Sequence, residues 1–123
     1  MTHVDRWFLR IAVVYALAGM TMGIAMGMSH DHSQYPTHAH INLVGWVSMA
    51  VYALVYRQYP AAAASPLARW HFWIANAGAL LLSIGVYLIF SGATELEIVA
   101  IIGSLLTLLG MLLFGIIVFG RVA

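Results

Sequence analysis

The sequence predicts an all-α fold: an integral membrane four-helix bundle with both termini cytoplasmic. Three observations predict it. Hydrophobic residues make up 63% of the chain and charged residues only 7%, so no water-soluble surface can be assembled from it. Four apolar runs are each long enough to cross a bilayer, which takes about 20 residues. All five arginines segregate to alternate ends of those runs, as the positive-inside rule requires of cytoplasmic segments.

The 123 residues read as one domain of four spans, at 7–28, 37–56, 67–90 and 96–119. The first apolar run lacks a small-x-small cleavage pattern followed by a soluble domain, so it reads as a retained span. A polar loop, 29–36, separates it from the second span, where Thr37 is a plausible N-cap. The loop 57–66 carries Pro60 and Pro66, and proline is tolerated in loops and in first helical turns. A short turn, 91–95, joins the last two spans. Arg6, Arg10, Arg57, Arg69 and Arg121 all fall on one side, while the first and third loops carry Asp31, Glu95 and Glu97 and no arginine. The expected location is therefore a bacterial-type inner (cytoplasmic) membrane, with His30, His32, His38 and His40 outward and His3 and His71 inward.

Composition also excludes several chemistries. There is no cysteine, which removes disulfides, thiolate metal sites, Fe–S clusters and covalent haem attachment. A net charge of +1 gives no sign of a nucleic-acid partner; the partner expected of this surface is membrane lipid.

The chemistry concentrates in His38-Ala39-His40, at the start of the second span. Ionisable residues inside a membrane are costly to place and mark proton, ion or cofactor sites. At i, i+2 on a helix, two side chains point about 160–200° apart. They cannot both ligate one metal from an unbroken helix, but each can serve a different site. Nor can His40 and His71 clamp one iron, being separated by most of a ~30 Å hydrocarbon core. Asn42 is available to support a histidine's second nitrogen, or to bond a neighbouring helix. His71, beside Trp70 and Trp73, reads as an anchor at the inner interface. Trp46 reads as packing.

Gly19, Gly23 and Gly27 form a tandem G-x-x-x-G stripe on the first span, which lets a helix or a flat macrocycle come close. Gly78 and Gly85, and Gly103 and Gly110, recur at seven residues on the third and fourth spans. Close packing within one four-helix unit is the plainer reading of all of these. The outer half of the first span also carries Met20, Met22, Met26 and Met28, near four histidines. Thioether and imidazole together suit copper. An alternative copper (or zinc) site would use His30, His32, Met22 and Met26, the two methionines sharing a face at i, i+4. The competing reading of the methionines is core filler.

The run Thr37-His38-Ala39-His40-Ile41-Asn42-Leu43-Val44-Gly45-Trp46, followed by an aromatic span ending in Tyr56-Arg57, resembles helices of subunit I of the haem–copper oxidases and nitric oxide reductases. It is most similar to small four-span proteins that look like a fragment of that subunit. The likeness covers the first two spans well and the rest only as hydropathy. It implies that His38 and His40 are ligands of haem b iron, with Asn42, Gly23 and Gly27 around the cofactor. In that family the large subunit has twelve spans in three arcs of four, and the two histidines of one His-x-His pair serve haems on opposite sides of their helix. The resemblance thus implies a homotrimer with bis-histidine haem at each subunit interface, engaged in electron transfer. The chain departs from the family in having no adjacent His-His pair, no His-Pro-Glu or His-Pro-Asp segment and no charged proton channel in its spans. No catalytic residue is assigned, and oxygen or nitric oxide reduction by this chain alone is not expected. No redox partner can be named from the sequence.

Reporter fusions test the topology. A fusion at Ser33 should report an outside location and one at Ala63 a cytoplasmic location; a cytoplasmic report at Ser33 would overturn the orientation.

Overall fold

The computed structural model describes residues 2–122, which are helical with no strand among them. Four long helices dominate. We label them α1 (Val4–Ser29), α2 (Tyr35–Gln58), α3 (Pro66–Phe90) and α4 (Glu97–Arg121). A one-turn helix, Pro60–Ala63, lies between α2 and α3, and a 3₁₀ turn, Thr94–Leu96, leads into α4. All four long segments are apolar enough to cross a membrane. Large apolar side chains stand out along their outer faces, Phe119 at 93% exposure and Met28 at 79% among them. In water such a surface would aggregate; in lipid it is the matching one.

The chain folds as two antiparallel hairpins. In the second hairpin, small residues let α3 and α4 run with their backbones almost touching. A Cβ on Gly85 would strike the backbone of Ala100, and one on Gly103 the backbone of Leu82. A Cβ on Gly78 would stand 2.6 Å from the backbone nitrogen of Thr107, and one on Gly110 3.2 Å from Cα of Ala75. The seven-residue recurrence of these glycines is therefore one continuous seam. This is how membrane helices associate without a hydrophobic drive between them.

The first hairpin follows the same logic. Gly19 of α1 admits the amide of Asn42, Gly23 admits the ring of His38, and Gly45 of α2 admits the ring of Tyr15. Gly27, the last member of the stripe, meets nothing within 4 Å. The stripe is thus used inside the chain at two of its three positions and open at the third.

The two hairpins join at both ends, and the join at the end that carries both termini is aromatic. There Phe8 of α1, Tyr52 and Tyr56 of α2, His71 and Phe72 of α3, and Phe114 of α4 interlock. Ring centroids lie 5.3 Å apart for Phe8–Tyr52 and 4.7 Å for Tyr52–Phe114. Arg57 at the end of α2 reaches Asp5 at the start of α1, N to O at 3.4 Å. At the opposite end the hairpins meet through Gln34, whose Nε2 donates to Ser91 Oγ at 2.8 Å and to the Tyr87 carbonyl at 3.2 Å.

Two local expectations are corrected. Thr37 does not cap α2. The helix begins at Tyr35 with Pro36 in its first turn, and the buried Thr37 hydroxyl instead pairs with Gln34 Oε1 at 2.6 Å. Nor is α2 uniformly α-helical: Ile41–Ser48 is wound as a π-helix. Such wide turns are uncommon and are frequent at functional sites.

The seam makes a contrast that stability can read. Gly103→Ala forces apart two packed backbones and should cost about 1–3 kcal/mol, seen as earlier unfolding in detergent. Gly115→Ala, where a Cβ meets nothing within 4 Å, should not lower the unfolding midpoint, since alanine favours the helix over glycine.

Candidate functional site

The site is built around the first turn of α2. His38 lies half-buried against α1, and its Nδ1 stands 2.8 Å from the carbonyl oxygen of Gly19. A Cβ on Gly23 would be 2.9 Å from His38 Cε1, so the bare face of α1 is what lets the ring lie there. Asn42, one turn on, donates from Nδ2 to the His38 carbonyl at 2.8 Å. Its amide occupies the space left by Gly19. His40, also half-buried, places Nδ1 2.7 Å from the carbonyl of Pro36, one turn back on its own helix.

The two histidines thus share one electronic arrangement. A carbonyl oxygen only accepts, so each Nδ1 must carry the hydrogen and donate it. In a neutral ring that arrangement puts the lone pair on Nε2. A backbone carbonyl behind one ring nitrogen is the usual support of a histidine that ligates metal through the other. The donor set fits haem iron on this ground. His38 takes its support from a neighbouring helix and His40 from its own, so the two rings are held independently.

The π segment begins immediately after His40. Widening the turn disturbs the regular i→i−4 ladder, and side chains engage carbonyls there. Asn42 bonds the carbonyl of His38, and Ser48 Oγ donates to that of Leu43 at 2.8 Å. The π winding also sets Gly45 against Tyr15 of α1. Of the other residues assigned to the cofactor, Gly23 sits under His38 and Gly27 is exposed and free of contact.

The residues of the copper alternative are spread between the loop and α1. His30 and His32 are exposed, His30 in a left-handed backbone conformation with φ 56°. Met26 is buried and Met22 half-buried on α1, whereas Met20 and Met28 are exposed. No group of three His, Asp or Glu side chains converges to hold a metal ion among the described residues. The carboxyl of Asp31, in the same loop, is held below the usual carboxylate range, first by the Ser33 backbone N–H, which donates to it at 3.0 Å.

His71 overturns the reading of an interfacial anchor. It is fully buried, with 0% exposure, ringed by Phe8, Tyr52, Tyr56 and Phe114. Its Nδ1 lies 2.8 Å from the hydroxyl of Tyr56, and its Nε2 has no hydrogen-bond partner among the described residues. The flanking Trp70 and Trp73 are the exposed residues of that turn. Sequence reasoning judged His71 by these neighbours, although on a helix adjacent residues face about 100° apart. The small residues one turn away on either side, Ala68 and Ala75, are buried and were the better guide.

No family model matches the chain, and neither a curated protein nor a solved structure matches it significantly.

The Tyr56–His71 bond gives a clean prediction. Tyr56→Phe leaves a buried ring nitrogen unpaired and should cost about 1–3 kcal/mol. The double variant Tyr56→Phe/His71→Phe should lose less than the two single changes added together. A double-mutant cycle on unfolding in detergent reads this coupling directly.

Proposed function

We propose that this chain is a membrane-embedded haem b-binding protein, in which His38 and His40 ligate iron through Nε2 and the bound haem serves electron transfer. One observation carries the reading: both rings have Nδ1 committed to a backbone carbonyl, at 2.8 and 2.7 Å, inside an apolar helix pair. His38 makes that bond across to α1 and His40 makes it within its own helix, so in both rings Nε2 is the nitrogen left to ligate. The likeness of the His38–Trp46 run to subunit I of the haem–copper oxidases supports the same ligand class.

When bound, haem supplies a one-electron iron couple whose potential is set by axial ligands and burial. The chain's own residues do the rest. Gly19 and Pro36 fix the two rings through their carbonyls. Asn42 bonds the His38 carbonyl and so steadies the turn that carries that ring. Gly23 and Gly27 keep α1 free of side chains beside it. The apolar faces of the helices exclude water from the ligands.

The two rings point apart on their helix, so two ligands for one iron call for a second chain. We propose a cyclic homo-oligomer, a homotrimer by analogy with the twelve-span subunit. In it His38 from one copy and His40 from the next would hold each haem. Heterologous contacts of this kind close into a ring. The outward surface of Gly27 is available to that neighbour.

The purified protein should show the Soret and α bands of low-spin, six-coordinate haem b. His38→Ala and His40→Ala should each abolish or grossly alter those bands, while His71→Ala should leave them. Haem should load at one per chain, with the mass of a trimer in detergent. A haem-loaded monomer, or bleaching by His71→Ala alone, would sink the assignment. Ready binding of carbon monoxide would signify an open iron position and refute bis-histidine ligation.

A further inference from the structure

The groove between α1 and α3, at the end of the bundle that carries the termini, lies outside the histidine site and borders the aromatic core at Phe72. The two helices touch only briefly, and between them lies an apolar trough of about 490 Å³ lined by Trp7, Ile11, Phe72, Trp73 and Asn76. One helical turn nearer the termini, on the same pair of helices, a more polar hollow of about 280 Å³ opens between Val4, Ser65, Arg69 and Trp70. The guanidinium of Arg10 lies over the ring of Trp7, 5.1 Å from its centroid, turned back along α1 from a position one turn deeper. The groove therefore has an apolar bed, a cation at its mouth and a second cation on its wall.

We propose that this groove is a binding site for an anionic glycerophospholipid, with the phosphate at Arg69 and Arg10 and an acyl chain in the Trp7–Trp73 trough. Charge decides the class of occupant. The terminal end of the bundle holds all five arginines against one acid, Asp5, and that acid is paired with Arg57. Arg10 and Arg69 are exposed, and neither is ion-paired among the described residues. Long basic side chains at this depth turn their heads to the headgroup layer and lay their stems on apolar surface. The position of Arg10 on Trp7 is that arrangement.

The trough disfavours a quinone. A quinone headgroup is neutral and gains nothing from two guanidinium groups.

Native mass spectrometry of the detergent-purified chain provides the test, with phosphatidylglycerol and phosphatidylcholine of equal acyl length supplied together. A basic residue close to an anionic headgroup favours it by about fivefold. The wild type should then retain one phosphatidylglycerol per chain at roughly 25-fold preference. Arg69→Gln should reduce the preference about fivefold, and the Arg10→Gln/Arg69→Gln pair should abolish it. Trp73→Ala should weaken retention of both lipids without changing their ratio. Arg6→Gln, which removes a cation from the same end but outside the groove, should leave the preference intact. Inorganic phosphate should not displace the bound lipid if the trough contributes. The wild-type ratio stands by itself should any variant fold poorly. Equal retention of the two lipids would overturn the proposal, as would an equal loss on Arg6→Gln and Arg69→Gln. Displacement by inorganic phosphate, a co-purifying quinone in the trough, or a second chain that covers Trp73 in cross-linking would also overturn it.

Discussion

The histidine end of the molecule depends on two helix backbones coming close enough for a side chain of one to bond the main chain of the other. His38 reaches the carbonyl of Gly19 at 2.8 Å because α1 presents no Cβ at Gly19 or Gly23. A side chain at Gly23 would push the ring off and leave its Nδ1 to find another acceptor, and one at Gly19 would displace the Asn42 amide beside it. In a membrane there is no water to supply one, so a polar group must be satisfied by protein or be costly. Asn76 and Ser83 meet the same constraint by turning back to the carbonyl four residues earlier, at 2.7 Å each, whereas His71 Nε2 and Thr107 Oγ1 are buried with no partner among the described residues.

Close approach is used differently by the two hairpins. In α3–α4 the glycines meet backbone or small residues and make a seam with no chemistry. In α1–α2 they meet Asn42, His38 and Tyr15, and so become the floor of a site. A spacing of four on one helix and seven on another looks alike in a sequence. What separates them is the identity of the residues across the gap. One hairpin puts Ala75, Leu82, Ala100 and Thr107 there, and the other puts an imidazole and an amide.

Much of this architecture is legible in the residues themselves. Four apolar runs, proline at loop positions and the one-sided arginines are enough for four antiparallel helices, and the helix ends differ from expectation by only a few residues. His38 and Asn42 stand out because polarity inside a span is rare. What stayed hidden depends on partners distant in sequence. The carbonyl of Gly19 carries no mark of its role, since every residue has a carbonyl. The π winding over Ile41–Ser48 has no composition of its own. His71 was read from its exposed tryptophan neighbours, while its actual surroundings come from all four helices. By contrast the Pro36–His40 contact lies at i, i+4 and could have been read from spacing alone.

The junction between the two hairpins differs in character at its two ends. At the terminal end rings from four helices share a single dry volume, with the Tyr56–His71 bond inside it. At the other end the first turns of α2 pack on α3 and the join is polar. The half-buried Gln34 bonds Ser91 and Tyr87 with its amide nitrogen, takes the hydroxyl of the buried Thr37 on its amide oxygen, and accepts the backbone N–H of His38 on its carbonyl. The tie between the hairpins and the turn that carries the first histidine are therefore one hydrogen-bonded unit, so whatever shifts α3 against α2 at that end is felt at His38.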